Sequence, residues 1–236
     1  MNLWIGTSGF QYPEWKGKFY PETMPASKML AFYAERFSST EINYTFRRIP
    51  AAKTILDWTS RTPPRFRFSF KAPQRITHFA NLRGCKEVLE VFAKAISAAD
   101  EKLGPVLFQL PLNFVKDVET LRAFLADTPA GMRAAFEFRH ESWFDDAVFQ
   151  VLREANAALC IAESDELATP VAATADFGYL RLRREDYTIA QIKKWAASIL
   201  KQKHTWSEAF VYFKHEERGV GPGFARKMQL EFGERG

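Results

Sequence analysis

The residues best suited to chemistry are charged and polar side chains that alternate with apolar ones in short stretches. Ser69 and Lys71, for example, alternate with Phe68 and Phe70. Successive side chains of a strand point to opposite faces, so each stretch predicts one polar face. Across all stretches the polar set is Ser8, Glu41, Asn43, Lys71, Gln109, Glu137, Arg139, Arg181, Tyr212 and Lys214. Its four cations and two carboxylates leave a positive surplus.

Such a set suits an enzyme that binds an anionic small molecule, such as a phosphate ester or a carboxylate. The cations would hold the anion, and Glu41 or Glu137 would act as general acid or base with a pKa set by burial. If the charge of Arg181 serves to bind an anionic ligand, the substitution Arg181→Met should leave the stability of the fold unchanged or increase it. The structural alternative is a buried ion-pair network that only fills the interior, although such pairs rarely add net stability.

Two other functions stay open. Metal-assisted hydrolysis of a phosphodiester would draw on oxygen and imidazole ligands from His78, Glu137, His140, Glu163 and Asp165, although no HExxH or HxH motif occurs. A divalent metal is therefore possible, and no organic cofactor is predicted. A nucleic-acid-binding module without catalysis would use the net charge of +5 and exposed aromatic rings such as Trp15 and Phe19.

Composition predicts one soluble globular domain over residues 1–236. Hydrophobic residues make up 47% and charged residues 26%, which supplies a large core and an ordinary surface. Neither a secretory leader nor an apolar run long enough for a membrane span is visible, so we expect a cytoplasmic protein without a membrane partner. The oligomeric state is left open.

The elements that must position the polar set are eight predicted strands. They are residues 3–8, 39–45, 65–72, 105–111, 134–139, 158–164, 177–183 and 209–215. Apolar residues at helical spacing follow the first, third, fourth, fifth and seventh strands, and we expect an N-cap at Ser27. Strands separated by helices predict a parallel sheet, and eight of them predict a closed (β/α)8 barrel.

One unit of this barrel is incomplete. The connection after the sixth strand, residues 165–176, is short and contains Pro170, so we expect a loop or a single turn instead of a regular helix. The apolar faces should pack under the helices, and the polar faces should then point into the barrel near the C-terminal strand ends, where barrel active sites are built. The long first connection, residues 6–21, either covers this mouth or forms a minor aromatic core.

The residues also resemble a known family. Gly6-Thr7-Ser8-Gly9-Phe10-x-Tyr12-x-x-Trp15, Glu41-Ile42-Asn43-x-Thr45-Phe46, Phe68-x-x-Lys71 with Thr77-His78, Gln109-Leu110-Pro111, Glu137-x-Arg139-His140-x-x-Trp143, Tyr179-x-Arg181 and Tyr212-Phe213 are similar to the YecE-like family, domain of unknown function 72. The similarity runs from about Leu3 to Met228. It implies a β/α barrel and no established activity.

Because the resemblance carries no catalytic residues over, the site assignments rest on the residues themselves. We add His78 to the catalytic candidates and Trp143 to the ligand-binding ones. Two positions depart from the family pattern. Arg47 stands where an aromatic residue usually follows Thr-Phe, and Lys214-His215 replaces an Asn after the last strand, inside the expected pocket.

Overall fold

The computed structural model describes residues 1–163, 168–214 and 219–233. Eight parallel strands close into a barrel in chain order, with β8 paired to β1. The strands are β1 Asn2–Ser8, β2 Ser39–Ile42, β3 Arg67–Lys71, β4 Leu103–Gln109, β5 Ala134–Glu137, β6 Ala158–Glu163, β7 Phe177–Leu182 and β8 Glu208–Phe213. The predicted fold is confirmed, although most strands end one to three residues earlier than expected.

Seven α-helices surround the barrel in the described part of the chain. They are α1 Ala26–Ala34, α2 Ala52–Ser60, α3 Lys86–Ile96, α4 Val118–Asp127, α5 Asp146–Glu154, α6 Ile189–Lys201 and α7 Gly221–Glu231. No helix is assigned in residues 168–176, which agrees with the incomplete unit expected after β6. Within the described residues no helix is long and apolar enough to cross a membrane.

Side chains cap the starts of two helices, but the one N-cap that the sequence predicted is wrong. The Asp117 carboxylate accepts the amide of Thr120 at 2.9 Å at the start of α4, and Thr188 forms a capping box with Gln191 at the start of α6. Ser27 is not a cap: α1 begins one residue before it, after Pro25, without a side-chain cap.

Two layers of apolar packing hold the barrel. The larger layer lies between strands and helices and includes Phe68, Phe108 and Phe136. The smaller one lies inside the barrel and includes Trp4 and Phe210, whose rings stack with centroids 6.1 Å apart. The apolar parity therefore faces the helices as predicted, and the polar parity meets an aromatic floor inside the barrel.

The long first connection forms a minor core, the second of the two alternatives. Trp15 and Tyr20 are buried, and the Phe19 ring contacts Phe37, which follows α1. Gly9 has φ +90° and permits the turn that lets the Tyr12 hydroxyl donate to the Ser8 carbonyl at 2.8 Å. Trp15 is thus not the exposed stacking surface that a nucleic-acid-binding module would need.

Candidate ligand-binding site at the C-terminal mouth

Arg181, on β7, lies at the centre of the mouth between two carboxylates. Its guanidinium donates to Glu137 Oε2 and, at 2.9 Å, to Glu41 Oε1. The three side chains are at most 1% exposed. The charge of Arg181 is therefore balanced by carboxylates inside the barrel. This differs from the prediction that the charge is kept for an anionic ligand.

Further donors complete the environment of Glu41. The Ser8 hydroxyl donates to Oε1 at 2.5 Å and the Tyr179 hydroxyl to Oε2 at 2.7 Å. The register places Ser8 directly beside Glu41 on adjacent strands. Burial alone would raise the pKa of Glu41, but the charge of Arg181 and these donors outweigh it and lower the pKa.

Glu137 is held in the same way. Gln109 Nε2 donates to its Oε1 at 2.8 Å, and Arg183 lies 3.2 Å from the same oxygen. Burial opposes ionisation, yet the charges of Arg181 and Arg183 lower the pKa of Glu137 to about 2. A carboxylate with this pKa is a poor proton donor or acceptor near neutral pH. We call Ser8, Glu41, Glu137, Tyr179 and Arg181 the central network.

Lys71, at the C-terminal end of β3, lies in a different environment. Its Nζ donates to Gln109 Oε1 at 2.7 Å and lies 4.1 Å from the centre of the Phe46 ring. Among the described residues no carboxylate lies within 4.0 Å of this ammonium. Burial, and then the charge of Arg181, lower its pKa from 10.5 to about 8.

Three other predicted residues surround Lys71. His78 lies on a π-helical turn, residues 75–79, with its ring 5.0 Å from that of Phe46 and its Nδ1 2.9 Å from the Thr77 hydroxyl. Burial and the charges of Lys71 and Arg139 lower the pKa of His78. Arg139 and Lys214 follow β5 and β8, are half-buried and have interaction partners of their own. We call Lys71, His78, Arg139 and Lys214 the rim.

Asn43 connects the central network to a neighbouring cavity. Its amide donates to the Ser8 hydroxyl at 2.7 Å. Beside it lies a cavity of about 380 Å³ between the first loop and α2, whose walls include Tyr12, Tyr44 and Trp58. The cavity offers aromatic surface next to the polar mouth.

Two predicted ligand-binding residues lie away from the mouth. Trp143 is fully buried, its ring lies parallel to that of Phe138 at 4.6 Å, and its Nε1 donates to the Phe114 carbonyl. Trp143 therefore belongs to the core outside the barrel wall. Tyr212 points inward but is fully buried, with its hydroxyl 2.6 Å from Ser39 Oγ and 2.7 Å from Ser69 Oγ.

The predicted metal ligands are not brought together. His140 caps the short turn before α5 by accepting the Ser142 amide, and Glu163 accepts from Tyr187 and Trp195, both at 2.8 Å. Both Glu137 oxygens already have donors. In the described residues no three His, Cys, Asp or Glu side chains form a metal-binding group, and Asp165 and His215 lie outside those residues.

Sequence reasoning missed three residues of the mouth. Tyr179 and Arg183 share the inward parity of Arg181 on β7, so alternation alone was enough to include them. Phe46, which lies against the Lys71 ammonium, sits in a short helical turn after β2, where the period of two no longer applies.

These features define a closed (β/α)8 barrel with a neutralised polar centre and a cationic rim at its C-terminal mouth. A family model described as "Protein of unknown function DUF72" matches residues 4–236. The chain belongs to this family, which confirms the resemblance.

Relatives agree with this assignment. The chain is 29% identical over 143 residues to the UPF0759 protein YecE of Escherichia coli K12, covering 60% of this chain and 50% of that protein. It is 27% identical over 162 residues to the UPF0759 protein YunF of Bacillus subtilis, covering 63% and 54%. The aligned part thus spans about half the length of these curated relatives.

Solved structures share the fold. A DUF72 family protein from Thermotoga maritima superposes with a TM-score of 0.87 at 26% identity, covering 99% of this chain and 100% of that one. A DUF72 family protein from Enterococcus faecalis gives 0.79 at 18% identity, covering 99% and 96%. The second likeness bears on the fold alone.

Proposed function

We propose that the mouth binds an anionic small molecule, bearing a phosphate or a carboxylate, and that the protein acts on it as an enzyme. The observation that carries the proposal is the environment of Lys71. Arg181 is matched by two carboxylates, whereas Lys71 has a single neutral acceptor, Gln109, among the described residues.

An anion at this position would offset the cost of burying the Lys71 charge. The lowered pKa of Lys71 means that the surroundings oppose its positive charge. A bound phosphate or carboxylate would reverse that effect and gain a charge-assisted hydrogen bond. The aromatic cavity beside Asn43 would take the organic part of the ligand.

The acid/base role passes from the glutamates to the rim. Glu137, with a pKa of about 2, and Glu41, with a lowered pKa, are held ionised by Arg181. Lys71 has a pKa of about 8, much closer to the pH at which a general acid or base works best. His78, next to it across Phe46, is the second candidate.

Thermal unfolding with millimolar phosphate or sulfate tests the proposal. A ligand that binds only the folded state raises the melting temperature by mass action. We expect a rise in the wild type, a much smaller one in Lys71→Met, and an unchanged one in the control Lys94→Met, which alters an exposed lysine on α3. A wild type indifferent to both anions, or a Lys71→Met variant that responds fully, would contradict the proposal.

A further inference from the structure

Two half-buried lysines of the barrel are bonded very differently. Lys102, just before β4, donates to the carbonyls of Thr59 and Thr62 at 2.7 Å each and to the Thr62 hydroxyl at 3.1 Å. All three of its ammonium hydrogens have acceptors, as expected of a structural lysine. Lys71, at the opposite end of the barrel, makes one hydrogen bond within the described residues, to Gln109.

We propose that Lys71 is a nucleophile that forms an imine with the carbonyl group of an anionic ligand, such as a 2-oxo acid or an aldehyde that carries a phosphate. This inference rests on the proposed function and deepens it by naming the substrate class. The Nζ lies at the mouth, beside the Phe46 ring, without a carboxylate within 4.0 Å among the described residues.

The charged groups around Lys71 come from four other strands. Arg181 of β7 and Lys214 after β8 favour the neutral amine, and Glu41 of β2 and Glu137 of β5 favour the ammonium. Burial is the largest effect and acts with the cations, so the pKa falls to about 8. Desolvation and a neighbouring cation are the two means by which proteins make a lysine nucleophilic near neutral pH.

The step balances without a further reactant. The lone pair of Nζ attacks the carbonyl carbon, the carbon–oxygen π bond opens, and proton transfer from nitrogen to oxygen gives a carbinolamine. The hydroxyl then leaves as water with one added proton, and a carbon–nitrogen double bond forms. Addition of water reverses the sequence and restores the free amine.

Reductive trapping tests this inference on the whole chain. The protein is incubated with pyridoxal 5′-phosphate, or separately with glyoxylate, reduced with borohydride and mapped by peptide mass spectrometry. Below pH 8, an ordinary lysine with a pKa near 10.5 holds roughly a hundredfold less neutral amine than a lysine with a pKa of about 8. We therefore expect Lys71 to be labelled at least about tenfold faster than the exposed Lys94, with half-maximal rate near pH 8 and protection by phosphate.

Lys71→Arg separates the inference from the proposed function. It keeps the positive charge and removes the primary amine, so the adduct should disappear while phosphate still raises the melting temperature. Labelling of Lys71 no faster than Lys94 in the wild type would overturn the imine and leave anion binding standing if phosphate still stabilises the protein. Absence of phosphate stabilisation in the wild type would overturn the proposed function itself.

Discussion

Arg181 and Lys71 are both cations on inward faces, on strands β7 and β3 that lie opposite each other in the barrel, yet their surroundings differ. Arg181 lies between Glu41 and Glu137, and its burial is balanced by their charges. Lys71 is less buried, donates to a neutral amide, and lies among two cations and two carboxylates whose effects on its pKa oppose each other, so that burial is the largest influence. Removal of Arg181 from the central network would therefore leave buried charges unpaired, whereas the rim keeps a partly buried lysine charge at some cost in stability. Substitutions in the two regions should act in opposite directions.

The largest effect is expected for Arg181→Met. The substitution removes the cation that Glu41 and Glu137 share and leaves Glu137 only Arg183, and breaking a buried pair costs about 3–5 kcal/mol. This reverses the sequence-based expectation of a neutral or stabilising change. Urea unfolding measures it. Adding Glu41→Gln and Glu137→Gln to the variant should recover much of the loss, and a neutral Arg181→Met would contradict the description of the centre.

Acid should weaken the central network next. The pKa of Glu137 falls from 4.5 to about 2 on folding, so its contribution is complete above pH 4.5 and is lost as the pH falls towards 2. The shift corresponds to about 3 kcal/mol. The unfolding free energy of Glu137→Gln should depend less on pH across this window than that of the wild type. Glu119→Gln, on the exposed side of α4, should match the wild-type slope.

A smaller loss is expected when a neutral donor of the centre is removed. Tyr179→Phe takes away the hydroxyl that donates to Glu41 at 2.7 Å, and a buried hydrogen bond to a charged group is worth about 1.5–3 kcal/mol. Denaturant unfolding should show this loss. The side chain of Tyr44 is largely exposed, so Tyr44→Phe should have nearly the stability of the wild type. Equal losses of stability in the two variants would contradict a special contribution of the Tyr179 hydroxyl.

The rim should show the opposite sign. Because the folded pKa of Lys71 is about 8 against 10.5 in the unfolded chain, the unfolded state holds the proton more tightly between these values. Wild-type stability should then rise from pH 8 to 10.5 relative to that of Lys71→Met. At pH 7 the surroundings of Lys71 disfavour its positive charge, so Lys71→Met should stabilise the protein by about 1 kcal/mol. A loss of stability in Lys71→Met would contradict this expectation, because Lys71 would then contribute to stability as the central network does.

The alternation of side chains predicted the barrel and most of its polar interior. Phe68 and Phe70 against Ser69 and Lys71 is a local pattern with a period of two, so it needs no knowledge of the other strands. The short segment containing Pro170 likewise predicted the missing helix from local chemistry. Two helices, α2 and α7, gave no clear pattern: Ile55 is the sole buried residue along α2, and α7 opens with Gly-Pro-Gly.

Alternation gives the face of a side chain but neither its depth nor its partner. Tyr212 points inward as predicted, yet its hydroxyl meets Ser39 and Ser69, which precede Glu41 and Lys71 by two residues and so lie one layer deeper. Trp143 lies in a short turn beyond β5, where the period is lost. The pairing of Arg181 depends on β2 and β5, which only the closed barrel brings to it.

The aromatic floor formed by Trp4 and Phe210 fills the interior of the barrel below the C-terminal mouth. If the mouth binds a substrate as proposed, the product would leave by the route through which the next substrate arrives, because the described residues close the floor. If the product keeps the anionic group, it competes for the same rim cations. Turnover at this mouth would then be limited by the release of product. Added phosphate should act as a simple competitor of the substrate.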